Sequence, residues 1–328
     1  MSASKQPILS VRHLSVAYAS GSGLAMAIEG IDFDLAREET LAVVGESGSG
    51  KSTLGLCLLG LLPANARVLA GEVRFEDRTL DLRNPQAWSD LRGTRIGYVP
   101  QDTQAAFDPL SSLGSQIEEL LILGAEPAER VASRALELLR EAGLADAAEL
   151  ARELPERLSG GQRQRAAIAA GLARGPALLI ADEPTSSLDP VHARGLIDLL
   201  DRLRRERKLA LLWISHDLQA VAARADRTLI LYAGRVIESG PSRELADHPL
   251  HPYTRLLLRS LPHGTSGGRA LAALPPAAEE RGAKHHACRF SPRCPLADER
   301  CRSVDPPLAL HGAKHWVACH YVDKAVNL

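Results

Sequence analysis

The sequence predicts an α/β fold built on a parallel sheet, with a helical insert and a small cysteine-rich C-terminal extension. The apolar run Leu41–Val44 feeds the glycine-rich stretch Gly45-Glu-Ser-Gly-Ser-Gly-Lys-Ser-Thr53, and a second apolar run, Leu54–Leu62, follows. That order is a buried strand, a tight loop and a helix start. Two further apolar runs, Ala177–Ala181 and Leu209–Ile214, end on the polar groups Asp182-Glu183 and Ser215-His216-Asp217. Parallel sheets gather their ligands at such carboxyl ends.

Composition narrows the class. The 328 residues are 45% hydrophobic and 24% charged, which suits one large soluble domain with an appendage. With net charge −1 and no long basic run, no nucleic-acid partner is expected. Met1–Pro7 is polar and no apolar segment of a signal peptide follows. No apolar run of about 18 residues occurs, so a cytoplasmic location is expected. A disulfide framework is then not expected from the five cysteines.

Ile8–Tyr18 alternates and is rich in β-branched residues, which predicts a strand; Ala27–Leu35 predicts a second after a turn at Ser20–Gly23. Tyr18, at the end of the first, is placed either to stack on an adenine ring or to sit as a half-buried edge tyrosine. Gly71–Glu76 and Arg95–Pro100 read as strands, the latter stopping at Gln101. Ile117, Leu120, Leu121, Val131, Ala135, Leu138 and Leu139 recur at helical spacing, so an all-helical insert is expected over about residues 108–157. Ser159 then caps an Ala-rich helix, and Val191–Arg207 is amphipathic. Thr228–Tyr232 and Arg235–Glu238 form a hairpin, and Ser242–Ala246 and Thr254–Ser260 are short helices. The aperiodic Gly, Pro, Ser and Ala stretch at 262–284 reads as a linker between a main domain, 1–261, and an extension, 285–328.

The chemistry of these stretches is that of nucleoside triphosphates. Gly45, Gly48 and Gly50 let the backbone turn tightly and aim N–H groups at phosphate oxygens, with Glu46, Ser47, Ser49 and Thr53 completing the loop. The following helix points its positive end at the same place. Lys51 is expected at the β- and γ-phosphates and the Ser52 hydroxyl on Mg²⁺. Asp182 is the candidate second Mg²⁺ ligand, and Glu183 the candidate base that activates water. His216 follows the next strand and faces the same edge. Ser159, Gly160, Gly161 and Gln162 form a second phosphate-binding helix start, far from the first in sequence.

Taken together, the motifs resemble the ATP-binding cassette (ABC) ATPases over residues 8–240. Gly45–Thr53 looks like Walker A, Gln101 like the Q-loop, and Leu158-Ser-Gly-Gly-Gln162 is the signature. Asp182-Glu183 resembles Walker B with its catalytic glutamate, Ser187-Leu-Asp189 the D-loop, and His216 the switch histidine. The resemblance implies a P-loop core with an antiparallel β subdomain and a helical subdomain. It implies ATP and Mg²⁺ as ligands, with Gln101 joining Ser52 and Asp182 at the metal. It also implies two cassettes meeting head to tail, each signature closing over the other's ATP. His248-Pro-Leu-His-Pro-Tyr-Thr-Arg255 and Cys288-Arg-Phe-Ser-Pro-Arg-Cys-Pro295 are similar to the C-terminal region of dipeptide and oligopeptide importer ATPases. That likeness implies two integral membrane permease subunits gripped by the helical insert, and a second ATPase, the same or homologous. A solute-binding protein outside the membrane takes part indirectly. Residence would be peripheral, on the cytoplasmic face of the inner membrane. The sequence departs from the family at Gln101-Asp-Thr103, where Gln-Asp-Pro is usual, and at Ala106-Phe-Asp-Pro109, where Ser-Leu-Asn-Pro is usual.

Cys288, Cys294, Cys301 and Cys319 are separated by five, six and 17 residues. Four thiols in one tail suggest a soft metal. Zinc sites usually contain a short Cys pair two to four residues apart, and this tail has none. Three readings stand: an iron–sulfur cluster, zinc with or without His285, His286 or His320, and free thiols. The resemblance to peptide importers points to [4Fe–4S]. Some 40 residues carry too little core to hold themselves together, so the expected role is structural. Cys57, in an apolar helix, reads as a core residue.

Two other classes compete with an importer subunit. ABC ATPases acting on DNA carry long coiled coils between their motifs, and those acting on ribosomes carry two cassettes; this chain has neither sustained heptads nor a second cassette. An exporter or lipid-transport ATPase is the other, distinguished by the cysteine tail and the His-Pro-Tyr-Thr segment.

Overall fold

The computed structural model describes residues 6–21, 23–186, 188–260 and 287–325. The linker expected at 262–284, His285, His286 and Ser187 lie outside the described residues. Two sheets form. The strands are β1 (Pro7–Ser20), β2 (Gly23–Ala36), β3 (Thr40–Val44), β4 (Ala66–Phe75), β5 (Arg78–Leu80) and β6 (Ile96–Val99). They continue with β7 (Leu178–Asp182), β8 (Ala210–Ser215), β9 (Arg227–Tyr232), β10 (Arg235–Pro241), β11 (Ala309–His311) and β12 (His315–Val317).

The smaller sheet, β2-β1-β4-β5, is antiparallel throughout. The larger runs β11-β12-β10-β9-β3-β8-β7-β6, and its β9-β3-β8-β7-β6 portion is parallel. Successive side chains of a strand point to opposite faces, so a sheet covered on both sides needs apolar residues at every position. β3 follows this rule. Leu41 and Val43 pack against the small sheet's Ile8, Leu14, Phe33 and Phe75 and the loop helix's Leu54. Ala42 and Val44 face the opposite core, which holds Trp213 and the helices Gly160–Leu172 and Pro190–Arg207.

The insert folds as helices Leu113–Leu123, Ala128–Glu141 and Ala147–Leu150. Ile117, Leu121, Val131, Ala135, Leu138 and Leu139 are buried, as their spacing requires, and Leu120 is half-buried. Cys57 is buried in the core behind the loop helix. The C-terminal residues use the main sheet rather than a core of their own. β12 pairs antiparallel with β10, Glu238 facing Val317 and Ser239 facing Trp316. Phe290 enters the same core as Tyr232 and Tyr253. Glu238, fully buried, accepts hydrogen bonds from the Leu250 and His251 N–H groups and pairs with His315, tying β10, the His-Pro-Tyr-Thr segment and β12 at one carboxylate. Because β3, β8, β7 and β6 run parallel as neighbours, Gly45, His216, Glu183 and Gln101 emerge at one edge.

Candidate nucleotide site

The loop after β3 is shaped by two glycines that nothing larger can replace. A Cβ on Gly45 would lie 2.2 Å from the Leu231 carbonyl oxygen, and one on Gly50, at φ 105°, would lie 2.5 Å from that of Ala27. Ser47 and Gly48 form the exposed tip, and Ser49 turns inward. The Ser49 hydroxyl is buried without a hydrogen-bond partner among the described residues, so a donor stands free where the loop's N–H groups gather. Lys51 is buried and donates to the Gly45 and Glu46 carbonyls at 2.9 Å each. Its Nζ lies 3.5 Å from Glu183 Oε1. Burial lowers the Lys51 pKa, and Glu183 opposes the shift. Tyr18 is half-buried, with its hydroxyl 3.1 Å from Thr53 Oγ1; it borders the helix that starts at Lys51.

The carboxylates meet the loop from β7. Ser52 Oγ donates to Asp182 Oδ1 at 3.4 Å, and burial raises the Asp182 pKa. An all-oxygen pair beside this loop is a donor set suited to Mg²⁺. Glu183 stands at φ 44°, its N–H bonded to the Ile214 carbonyl at 2.9 Å. Glu183 Oε2 is 3.2 Å from His216 Nδ1 and accepts from Gln101 Nε2 at 3.4 Å. The His216 contact holds the Glu183 pKa below its usual range, and Glu183 in turn raises that of His216. Lys51, Ser52, Gln101, Asp182, Glu183 and His216 therefore converge.

The helix start at Ser159–Gln162, the second phosphate-binding surface expected from the sequence, does not join them. Ser159 Oγ accepts from the Gln162 N–H at 3.2 Å, and Gln162 Oε1 accepts from the Ser159 N–H at 2.8 Å. This capping box starts the helix Gly160–Leu172. Ser159 is exposed, and a Cβ on Gly160 would meet nothing within 4 Å. Among the described residues no hydrogen bond or ion pair links Ser159–Gln162 to the loop at 45–53. Asp189 caps the helix Pro190–Arg207, accepting from the Val191 and His192 N–H groups at 3.0 and 3.2 Å.

Cys288, Cys294, Cys301 and Cys319 line one cavity with Pro252, Phe290 and Leu296. All four are free thiols. Burial pushes Cys288 up to about 12 and Cys319 up to about 11, and raises Cys294 and Cys301. The neutral thiol is the favoured form in such a place, and a cation is what would stabilise the thiolates. No group of three or more His, Cys, Asp or Glu that could hold a metal ion occurs among the described residues, so the expectation of a ready-made metal site is not met there. His320, which also lines the cavity, has its Nε2 2.9 Å from the Val304 carbonyl oxygen.

Sequence reasoning missed two residues that touch the loop at 45–53 from outside it. Tyr253 accepts from the Glu46 N–H at 2.9 Å, and Arg293 grips the Glu46 carboxylate while also reaching Tyr232. Tyr253 and Arg293 lie inside the two C-terminal segments quoted for their resemblance, but no spacing rule connects residues more than 200 apart.

A family model described as ABC transporter matches residues 28–186, and one described as oligopeptide/dipeptide transporter, C-terminal region, matches residues 237–301. A Brucella abortus protein named for peptide import is 40% identical over 309 residues, spanning 94% of this chain and 93% of that one. The chain belongs to the ATP-binding cassette transporter ATPases, enzymes that hydrolyse ATP. Its particular likeness, over nearly its full length, is to peptide-transport ATP-binding proteins. The dipeptide transport protein DppD of Escherichia coli is 35% identical over 316 residues, 96% of each chain. The oligopeptide transport protein AppD of Bacillus subtilis is 35% identical over 314 residues, 95% of this chain and 96% of that one. Among solved structures, the cassette MJ0796, a dimer bound to ADP and Pi after hydrolysis, aligns with TM-score 0.64 at 28% identity, covering 72% of this chain and 99% of that one. Clostridium perfringens cbiO1, part of an ABC transporter complex, aligns with TM-score 0.65 at 28% identity, covering 74% and 92%.

Proposed function

We propose that this chain is the ATP-hydrolysing subunit of an importer for di- or oligopeptides, or a related small solute, at the cytoplasmic face of the inner membrane. One observation carries the reading: six polar side chains converge on the loop after β3, while the open helix start at Ser159 stays apart. A site so divided is completed by a second cassette. Lys51 and the loop N–H groups hold the β- and γ-phosphates, with Ser49 as a further donor. Ser52, Asp182 and Gln101 would hold Mg²⁺, which neutralises phosphate charge when bound. Glu183, kept ionised, orients and deprotonates the attacking water, and His216 contacts the γ-phosphate. Ser159, Gly160, Gly161 and Gln162 of a partner cassette close over the other side.

The helical insert grips two permease subunits in this reading. Among the described residues no helix is long and apolar enough to cross a membrane, so spanning by helices belongs to those partners. Support for the docking side comes from a groove lined by Tyr98, Gln101, Asp102, Phe107 and Leu120, and from Leu110 and Ile122, which are 87% and 62% exposed. The second ATPase is a homologous chain or another copy, and a solute-binding protein supplies cargo from outside. The four cysteines hold a [4Fe–4S] cluster as a structural cross-link. Their all-thiol donor set on one cavity supports it.

Pull-down from detergent-solubilised membranes is expected to recover two integral membrane proteins; recovery of ribosomes instead would sink the importer reading. Anaerobically purified protein is expected to be brown, with about four irons per chain. Colourless protein with stoichiometric zinc would remove the cluster.

A further inference from the structure

Glu46, the second residue of the phosphate loop, has its polar groups engaged from two directions. Its carbonyl accepts from Lys51, inside the loop, at 2.9 Å. Its N–H donates to the Tyr253 hydroxyl at 2.9 Å. Its carboxylate takes both arms of one guanidinium, Arg293 Nη1 at 2.9 Å and Nη2 at 3.0 Å. Arg293 immediately precedes Cys294, and its side chain is only 4% exposed. It is caged by aromatics: its guanidinium carbon lies 5.6 Å from the Tyr232 ring centre and 6.0 Å from that of Phe290. Tyr232, Tyr253 and Phe290 pack against one another with ring centres 4.7 to 5.6 Å apart. Phe290 also lines the cysteine cavity.

The charge in this arrangement needs a reason. A carboxylate on the loop that receives a polyphosphate repels it. A buried two-point fork neutralises that carboxylate and fixes its direction, which a mobile lysine would not do. Tyr253 meanwhile anchors the peptide N–H at the loop's first turn. We propose that Arg293 and Tyr253 are positioning residues of the ATP site, setting the charge and shape of the phosphate loop through Glu46 from the C-terminal region. Packing around the cysteine cavity thereby becomes a condition for tight ATP binding, whichever solute is carried.

The test uses the full-length protein and measures ATP affinity and steady-state kinetics with Mg²⁺. Arg293→Met is expected to raise KM for ATP about tenfold or more, with a smaller change in kcat. Glu46→Gln placed in that background is expected to restore KM to near its original value, because the neutral amide no longer repels phosphate. A residue that only stabilised the C-terminal fold would show no such rescue. Arg293→Lys, which keeps the charge but loses the fork, is expected to fall between, and it carries the same rescue test should Arg293→Met fail to fold. Tyr253→Phe is expected to raise KM about threefold, the loss of one modest hydrogen bond. Rescue by Glu46→Gln sustains the proposal. An unchanged KM in a folded Arg293 variant, or a raised KM that Glu46→Gln leaves raised, overturns it.

Discussion

The loop at Gly45–Thr53 and the loop at Ser159–Gln162 are both glycine-containing helix starts, yet they are built in opposite ways. The first is walled in: Gly45 lies against Leu231, Lys51 is buried, and its ammonium already bonds two carbonyls and faces a carboxylate. The second is open, and its polar groups are satisfied by its own capping box. A helix start buried among charged partners can hold an anion by itself. One that faces solvent, beyond bonding reach of the first, is useful only when another molecule brings an anion to it. In the proposed function this difference gives recognition of ATP to the first surface and completion of the site to the second.

The largest effects are expected on the walled side. Glu183→Gln keeps the shape of the side chain and removes its charge, so turnover is expected to fall about a thousandfold. ATP binding is expected to persist, and gel filtration with ATP and Mg²⁺ should then show a trapped dimer. Retained ATPase activity would remove Glu183 from its role. Lys51→Ala is expected to lose ATP binding and, with it, ATP-dependent dimerisation.

A smaller effect is expected on the open side. Ser159→Ala removes half of the capping box, at a cost of about 1 kcal/mol in helix stability. If Ser159 did nothing else, kcat would hardly move. As a ligand of the partner's nucleotide, its loss is expected to lower kcat about tenfold or more while ATP affinity at low protein concentration stays unchanged. Mixing chains sharpens the contrast. A dimer of one Lys51→Ala chain and one Ser159→Ala chain contains one fully intact site only if each site is shared between chains. Activity above that of either variant alone supports the division; no gain would return both surfaces to a single chain.

How far this was legible in the sequence follows the same division. Apolar strands that end in Gly45, Asp182 and His216 are local patterns, and parallel pairing then brings those ends together, so the walled half was readable from motif order. The capping box at Ser159 and Gln162 was half readable: Ser159 is a strong cap by type, whereas the returning contact from Gln162 needs the helix to form. The grip of Arg293 and Tyr253 on Glu46 was not readable. It depends on β12 joining β10 and on three aromatic rings meeting, which are long-range packing events with no periodic signature. The cysteines lay between these cases: their number in one tail suggested a common site and they do line one cavity, while a compact ligand set does not appear among the described residues.

The smallest expected effect is electrostatic and belongs to the walled side alone. His216 contacts Glu183, and the two shift each other in opposite directions. The His216 value is raised above its ordinary 6.5, so its contribution to stability is fully present below pH 6.5 and fades as pH rises through the folded value. The Glu183 value is lowered from 4.5, so its contribution is present above pH 4.5 and is lost as pH falls through the folded value. Their pairing therefore stabilises the nucleotide-free protein most between those ordinary values. Half of the His216 side chain is exposed, so solvent screening keeps the gain small. Melting of wild type and His216→Ala is expected to differ most near pH 5.5, between the two ordinary values, and to converge as pH rises through the folded His216 value. Ser159→Ala, measured alongside, is expected to lower the melting temperature by the same amount at every pH, because a hydroxyl cap does not titrate. A pH-independent difference for His216→Ala would mean that its ring acts by packing and that its charge is not coupled to Glu183 before ATP arrives.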